Sequence, residues 1–285
     1  MFDRLLNKDV ISSSTLISEY IENGEKALAL DLFRRVLFQG VQLDKGICIC
    51  SLNACCDIQD LPEGRMIHYS LMLIHEELDL EVGRGILSMY IRCSALSDAH
   101  NVFQSLIKPD ALVWNALILG YCEHGFPSHA LEGFKRMQES GTQPDQILLS
   151  NVLRACCELG AIQKGRVIHS QMTEIEIDHD ATIGNNIVYF YINCGCIEDA
   201  CKVFMGLQSR DLVAWGTMIS GYALHGISEM ANLCLKEMQQ TSHKPNDILF
   251  MVILTACSHS GLLEDGCKYF THMRECYGIL PNVRH

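Results

Sequence analysis

The sequence predicts an all-α protein, a right-handed superhelical solenoid of about eight stacked helix-turn-helix repeats. Three observations lead to this fold class: a repeat that runs through nearly the whole chain, apolar residues at helical spacing within each copy, and only six prolines in 285 residues. The composition, 48% hydrophobic and 20% charged, excludes a collagen, a disordered tail and a low-complexity linker. No apolar run approaches the ~20 residues that a membrane span needs, so we expect no membrane partner.

The internal repeat has a long period of 101 residues. Residues 110–121 recur at 211–222, an offset of 211 − 110 = 101, and the same offset links Cys55, Cys156 and Cys257. Acidic or amide residues divide this period into intervals of 35, 35 and 31 residues, which sum to 101. Self-similarity of this kind is typical of solenoids, in which each unit covers the apolar face of its neighbour.

These intervals divide the chain into eight predicted repeats between a lead-in, residues 1–9, and a truncated tail, residues 283–285. We number the repeats 1 to 8 in chain order and predict that they form a single array over residues 10–282. Their bounds are 10–44, 45–79, 80–110, 111–145, 146–180, 181–211, 212–246 and 247–282.

Each repeat has the pattern of two helices, and repeat 4 illustrates it. Apolar residues at 113, 114, 117, 118 and 121 form one face of a first helix, and we expect Trp114 in the core. Gly125 favours the left-handed conformation that ends this helix. Pro127 suits the first turn of a second helix, which runs to a break at Gly141 and Pro144. Because one hairpin cannot cover its own apolar face, neighbours must stack, with their first helices along a concave surface.

Charge and cysteine content exclude several functions. The net charge of 22 − 34 = −12 argues against a cationic coat for polyanions, which is a point against nucleic-acid binding. Most of the fifteen cysteines fall in apolar helical patterns, so we expect buried free thiols. No Cys-x-x-Cys pair occurs and the twelve histidines show no ligand spacing, so we expect no metal, no cofactor and no catalytic residue. His68 and His169 are expected to pack or to form hydrogen bonds.

Several motifs resemble those of pentatricopeptide repeat proteins. They are Trp-Asn-x-Leu-Ile-x-Gly-Tyr at 114–121, Met-x-x-x-Gly-x-x-Pro-Asp at 137–145, Ala-Cys at 54–55 with Gly-x-x-Ile-His at 64–68, and Met-Tyr-x-x-Cys at 89–93. With the 35-35-31 rhythm, the chain looks like the plant subclass that alternates standard, long and short repeats. Many members of that subclass continue into extension motifs and a cytidine deaminase domain, and we interpret this chain as lacking both.

The resemblance implies that the chain binds single-stranded RNA along the concave face, with one base per repeat. In the family, the fifth residue of the first helix and the last residue of the repeat read the Watson–Crick edge of the base through polar side chains. Carried over, the pairs are Ser14/Asp44, Ile49/Asp79, Arg84/Asp110, Asn115/Asp145, Ser150/Asp180, Asn185/Asp211, Gly216/Asn246 and Met251/Asn282.

Only some of these pairs have the chemistry of base readers. By resemblance, Asn115/Asp145 and Asn185/Asp211 favour uridine or cytidine, and Ser14/Asp44 favours guanosine. Ser150/Asp180 belongs to a long repeat, where the family rule is less dependable. The side chains of Ile49 and Met251 cannot hydrogen-bond a base, and Gly216 has none. Arg84 departs from the usual Asn of a short repeat and could stack or bind phosphate instead.

The family also has a hydrophobic residue near the start of each first helix that sandwiches bases between neighbouring repeats. Ile11, Leu112, Ile147 and Val213 fit this position, whereas Gly46 and Glu81 do not. From the residues alone, ordinary packing between repeats explains the same pattern equally well. Capping of the next helix could likewise be the whole role of several terminal Asp residues.

By resemblance, the function expected is that of a specificity factor in C-to-U RNA editing or processing of organelle transcripts, in a mitochondrion or chloroplast. No import leader is visible, and nothing in the chain could activate a water, so a deaminase-bearing or other editing-factor protein would act in trans. Two alternatives stay open. One is a protein–protein interaction solenoid, which the charge of −12 permits; the other is a truncated remnant of an editing factor without activity.

Overall fold

The computed structural model describes residues 10–38, 45–74, 79–177, 180–241 and 244–283, without the side chains of residues 10–14 and 74. Within these ranges the chain forms sixteen α-helices and no β-strand, which confirms the all-α class. No helix in the described part is long and apolar enough to cross a membrane.

The helices alternate between two kinds, and one pair falls within each of the eight predicted repeats. The first helices are α1 (Val10–Glu22), α3 (Lys45–Ile58), α5 (Leu80–Arg92), α7 (Ala111–Glu123), α9 (Gln146–Glu158), α11 (Ala181–Asn193), α13 (Leu212–Leu224) and α15 (Asp247–His259). The second helices are α2 (Lys26–Phe38), α4 (Leu61–Ile74), α6 (Leu96–Ser105), α8 (Pro127–Glu139), α10 (Ile162–Glu174), α12 (Ile197–Gly206), α14 (Ser228–Gln240) and α16 (Leu263–Glu275).

The 31-residue repeats are shorter because their second helices lose a turn. The second helices α6 and α12 have 10 residues each, against 13 in α8 and α14. Their first helices, α5 and α11, keep 13 residues. The shortening therefore falls on the second helices and leaves the first helices unchanged in length.

Local signals in the sequence explain the hairpin turns. Gly125 follows α7 with φ +76°, a conformation that costs a residue with a Cβ atom about 1–2 kcal/mol. Pro127 lies in the first turn of α8, where its missing N–H has no helical acceptor to lose. The predicted turn chemistry of repeat 4 is thus confirmed.

The chain divides into two compact units, Met1–Pro144 and Asp145–His285. Within each unit, every first helix packs on the second helix of its own hairpin and on the neighbouring first helix. Trp114 lies 4.5 Å from Phe103 between ring centroids, and Trp215 lies 5.0 Å from Phe204. Both tryptophans are at most 6% exposed, so their predicted place in the core is confirmed.

The prediction for His68 and His169 is also confirmed, whereas burial of the free thiols is confirmed for only seven of the fifteen cysteines. His68 Nδ1 lies 2.9 Å from the hydroxyl oxygen of Tyr90, and His169 Nδ1 lies 2.9 Å from that of Tyr191, at hydrogen-bond distance. All fifteen cysteines belong to the described part and are free thiols, and seven of them are buried. Burial raises the pKa of the Cys56 thiol to about 11, which keeps it protonated and chemically inert at neutral pH.

Candidate nucleic-acid interface

The residues predicted to close the repeats cap the next first helix. In six of them a side-chain oxygen accepts a hydrogen bond from the backbone N–H three residues on, a contact worth about 0.5–2 kcal/mol. The caps are Asp79 on Val82 (2.9 Å), Asp110 on Val113 (2.9 Å), Asp145 on Leu148 (2.7 Å), Asp180 on Ile183 (3.2 Å), Asp211 on Ala214 (2.8 Å) and Asn246 on Leu249 (2.9 Å). Capping is therefore a real role of these residues, and it engages only one side-chain oxygen of each carboxylate.

In repeat 6 the two predicted base readers are in contact. Asn185 Nδ2 donates a hydrogen bond to Asp211 Oδ1 over 3.3 Å, and that same oxygen caps α13. The Asn185 side chain is only 8% exposed, and its Oδ1 atom has no hydrogen-bond partner within the described part of the chain. A buried acceptor without a partner costs about 1–3 kcal/mol, so this site calls for a donor from a ligand or from water.

In repeat 3 the corresponding pair is ionic. Arg84 lies 3.6 Å from Asp110 between guanidinium nitrogen and Oδ2, and Lys45 lies 2.7 Å from both Asp79 and Glu81. Burial raises the pKa of Asp79, but the hydrogen bonds from Lys45 and from the Val82 N–H outweigh it and hold the pKa below its usual value. The Lys45 and Arg84 cations of this face are thus already paired with carboxylates.

The structure describes only some of the remaining predicted readers in detail. Asn115 is buried, 8% exposed, but Asp145 belongs to the other compact unit, so their pairing stays a prediction. Ser150 is half-buried and Asp180 exposed, and Asn282 is exposed after α16. The side chain of Ser14 and the whole of Asp44 lie outside the described residues.

The predicted base-sandwiching residues are exposed wherever the structure describes them. The exposed fractions are 56% for Leu112, 64% for Ile147 and 62% for Val213, whereas the side chain of Ile11 lies outside the described residues. Side chains that pack between repeats would be buried, so this exposure argues against packing as their role. Ile248, at the same place in repeat 8, is 59% exposed and was not predicted from the sequence. The repeat spacing could have identified it, because 248 − 213 = 35 is the length of one repeat.

In the C-terminal unit, a groove of about 580 Å³ brings two kinds of predicted residue together. It is bounded by α11, α13 and α15. Val213 and Ile248 supply apolar side chains, Asn246 supplies an amide, and Gly216 also lines the groove. An apolar slot with a polar group at its edge matches the shape and chemistry of a nucleobase.

Comparison with sequence families and known proteins agrees with the repeat pattern. The model of the PPR (pentatricopeptide repeat) family matches residues 109–158, and the model of the single PPR repeat matches residues 213–241 and 248–277. Over its full length the chain is 35% identical to the Arabidopsis thaliana pentatricopeptide repeat-containing protein At2g03880, mitochondrial, and 32% identical to At1g11290, chloroplastic. It spans 44% and 35% of the length of these two relatives.

Solved structures show the same fold. The chain is similar to the pentatricopeptide repeat protein PPR10 from maize with a TM-score of 0.74 and 20% identity, over 99% of this chain and 41% of that one. It is also similar to PPR10 in complex with an 18-nt psaJ RNA element, with a TM-score of 0.76 and 15% identity, over 97% of this chain and 42% of that one. The repeats, the relatives and the shared fold together show that this chain belongs to the pentatricopeptide repeat family.

Proposed function

We propose that the chain is a sequence-selective single-stranded RNA-binding protein. The observation that carries this proposal is the reader pair of repeat 6, in which Asp211 holds the amide of Asn185 and leaves a buried oxygen atom without a partner. A buried polar atom without a partner in a folded protein calls for one, and in this proposal an RNA base supplies it. The N3–H of uracil is such a donor, and it lies on the Watson–Crick edge that an unstacked base presents.

The exposed apolar residues of the first helices provide the second part of the interaction. In the C-terminal unit, Ile147, Val213 and Ile248 expose more than half of their surface. A base face that stacks on such side chains contributes affinity without sequence preference, whereas the polar pair supplies the selectivity. The groove beside Val213, Gly216 and Asn246 provides room for one base.

Electrostatics supports a binding mode with few phosphate contacts. Lys45 and Arg84 are paired with carboxylates, and the net charge of the chain is −12. On a single strand, each phosphate contact makes the slope of log affinity against log salt concentration more negative by ~0.7. We therefore expect a shallow salt dependence, with a slope of about −1 to −2.

The assignment to editing or processing of organelle transcripts rests on resemblance and on the names of relatives. The 35-35-31 rhythm favours the subclass with alternating repeats, whose members act in C-to-U editing or processing of organelle transcripts. Relatives whose names carry the words mitochondrial and chloroplastic support either organelle. In this proposal the chain selects the RNA site and a deaminase-bearing or other editing-factor protein, in trans, supplies the chemistry.

A protein-interaction solenoid is the second candidate. The pairing of Lys45 and Arg84 with carboxylates, together with the charge of −12, favours it, because phosphate binding requires available cations. A peptide ligand could also satisfy the orphaned acceptor of Asn185 through a backbone N–H. RNA binding distinguishes the two candidates directly.

The experiment is filter binding of the full chain to random single-stranded RNA, followed by selection of the bound pool. We expect uridine to be enriched at the position read by repeat 6 and Asn185→Ala to remove that enrichment. Asn101→Ala, an exposed substitution on the second helix α6, is the matched control and should change nothing. Failure of the wild-type chain to retain RNA at low salt would refute the proposal in favour of the interaction solenoid.

A further inference from the structure

Four lysine and arginine residues lie on the eight first helices, and three of them are paired with carboxylates. The pairs are Lys45 with Asp79 (2.7 Å), Arg84 with Asp110 (3.6 Å) and Arg92 with Asp57 (3.9 Å). The fourth is Arg154 in α9, whose side chain is exposed and forms no ion pair with a carboxylate in the described part of the chain. Arg154 is thus the first-helix cation that remains available to an anionic ligand.

Hydrogen bonds hold Arg154 on the same face of α9 as Ile147. Asn151 Nδ2 donates to the Ile147 carbonyl oxygen over 2.9 Å, and the Arg154 guanidinium donates to Asn151 Oδ1 over 2.9 Å. The three residues are spaced i, i+4 and i+7, which places their side chains in one row along a helix. Ile147 is 64% exposed and is predicted to sandwich a base. The guanidinium therefore lies on the predicted RNA-binding side, about two helical turns beyond Ile147.

Tyr189 has the place in α11 that Arg154 has in α9. The offset is 189 − 154 = 35, one repeat length, and α11 packs on α9. Both are the ninth residues of their repeats, 6 and 5. Tyr189 is 54% exposed and lines the groove of about 580 Å³ together with Ser220 and Thr255, the ninth residues of repeats 7 and 8. An exposed aromatic ring at the wall of a groove is a stacking platform for a nucleobase.

The ninth position of repeats 1 to 4 has neither a charge nor an aromatic ring. The residues there are Ser18, Asn53, Ser88 and Leu119, and the 101-residue offset relates Asn53 to Arg154 and Ser88 to Tyr189. First helices form with either set of side chains, so the hairpin fold requires no arginine or tyrosine at this position. Because Arg154 and Tyr189 are also exposed, packing does not explain them, and their surfaces are available to a ligand.

We propose that Arg154 and Tyr189 form a second contact with single-stranded RNA, in which Arg154 binds a phosphate group and Tyr189 stacks on a nucleobase. This contact rests on the RNA binding proposed above and holds the strand without reading its sequence. A guanidinium presents a planar fork of donors that matches a phosphate, and the π face of a tyrosine ring accepts any base. Since the other first-helix cations are paired, Arg154 supplies one phosphate contact, which accounts for ~0.7 of the negative salt slope.

Filter binding of the full chain to random single-stranded RNA over a series of salt concentrations tests the phosphate contact. In Arg154→Gln we expect the slope of log affinity against log salt concentration to become less negative by ~0.7, and the affinity at low salt to fall about tenfold for all sequences. The matched control is Lys164→Gln, which removes the same charge from an exposed position of α10, the second helix of the same repeat, and should leave the slope unchanged. Equal slopes in the two variants would overturn the phosphate contact, since Arg154 would then act through net charge or not at all.

Two substitutions at Tyr189 test the stacking contact. Tyr189→Ala should weaken binding about fivefold or more without a change of salt slope, whereas Tyr189→Phe keeps the ring and should bind nearly as well as the wild-type chain. The thermal midpoint should stay close to that of the wild-type chain in both variants, because the side chain is 54% exposed. Equal losses of affinity in the two variants would overturn the stacking contact. A wild-type chain that retains no RNA at all would refute the proposed function as well, whereas the other outcomes leave that function standing.

Discussion

Repeats 3 and 6 occupy equivalent places in the 101-residue period, one in each compact unit, yet their predicted base-reading pairs differ in charge. Both have 31 residues, and in both an Asp caps the first helix: Asp79 for α5 and Asp180 for α11. At the fifth position repeat 3 has Arg84, in an ion pair with Asp110, and repeat 6 has Asn185, in an amide–carboxylate hydrogen bond with Asp211. The two helices thus share a scaffold and differ in what they offer a ligand.

This difference teaches how a solenoid separates folding from recognition. The tenth residue, Met89 against Gly64 in repeat 3 and Phe190 against Gly165 in repeat 6, is a large buried apolar side chain in both repeats. The fifth residue differs instead, a half-buried cation in repeat 3 and a buried neutral amide in repeat 6, although both first helices keep 13 residues. Each repeat can therefore be altered in its recognition while its neighbours stay in register.

The largest effect should come from Phe190 and Met89, the side chains that fill the space left by the glycines of the preceding second helices, here called the glycine slots. Phe190→Ala should lower the free energy of unfolding by about 3–5 kcal/mol and Met89→Ala by about 2–5 kcal/mol, because each leaves a cavity in the core. Urea denaturation followed by circular dichroism measures both. Ile107→Ala, at a residue 88% exposed, is the control and should change little. Losses below about 1 kcal/mol at both slots would contradict the assigned close packing.

Base reading should distinguish repeat 6 from repeat 3. Asn185→Ala should weaken binding to uridine-containing RNA by about 1–3 kcal/mol, because it removes the acceptor held by Asp211. Arg84→Ala should weaken binding less, and to a similar extent for all sequences, since its guanidinium is already paired. Filter binding with RNAs that differ at one nucleotide measures the two effects. Equal losses for every base in Asn185→Ala would remove the distinction between the repeats.

Exchange of the fifth residues of repeats 3 and 6 tests the same difference in base reading. Arg84→Asn places an amide beside Asp110, as Asn185 lies beside Asp211, so repeat 3 should gain a preference for uridine of about 1 kcal/mol. Asn185→Arg should make repeat 6 insensitive to the base. Pool selection with the two variants tests the exchange, with the wild-type chain as reference. If repeat 3 gains no preference for uridine in Arg84→Asn, the residue pair alone does not determine base selectivity.

Helix caps should have smaller and equal effects in both units. Asp110→Ala and Asp211→Ala each remove the hydrogen bond to the first turn of the next helix, at 2.9 and 2.8 Å, and should cost about 1 kcal/mol of stability. Asp110→Asn and Asp211→Asn keep a side-chain oxygen and should each cost only about a few tenths of a kcal/mol. Thermal unfolding measures the series. A markedly larger cost at Asp211 would indicate that its bond to Asn185 also stabilises the free protein.

Much of this architecture could be predicted from the sequence because it depends on local signals. Gly125, Pro127 and the Asp caps define helix ends within a few residues, and the 101-residue offset relates one hairpin to the next. The sequence alone does not show whether each polar side chain has a partner or whether each apolar one is exposed. That Arg84 is paired, that Asn185 has an orphaned acceptor, and that Ile248 is exposed depend on how neighbouring helices approach, and no single-residue property encodes that distance.

The smallest expected effect concerns two ion pairs that the 101-residue offset relates, Arg166–Asp199 and Arg65–Asp98. Hydrogen bonds from Lys202 and Arg166 outweigh burial and lower the pKa of Asp199 below its usual value. Because the folded-state pKa is depressed, the stabilisation is present above the unfolded pKa of about 4 and is lost as pH falls through the folded value. Asp199→Asn should therefore shift the urea midpoint slightly at neutral pH, by less than the cap variants, and not at all near pH ~3. Asp98→Asn, which breaks the equivalent bridge from Arg65, gives the matched measurement in the N-terminal unit. If the shift in urea midpoint caused by Asp199→Asn is as large at acid pH as at neutral pH, the effect comes from packing and not from charge.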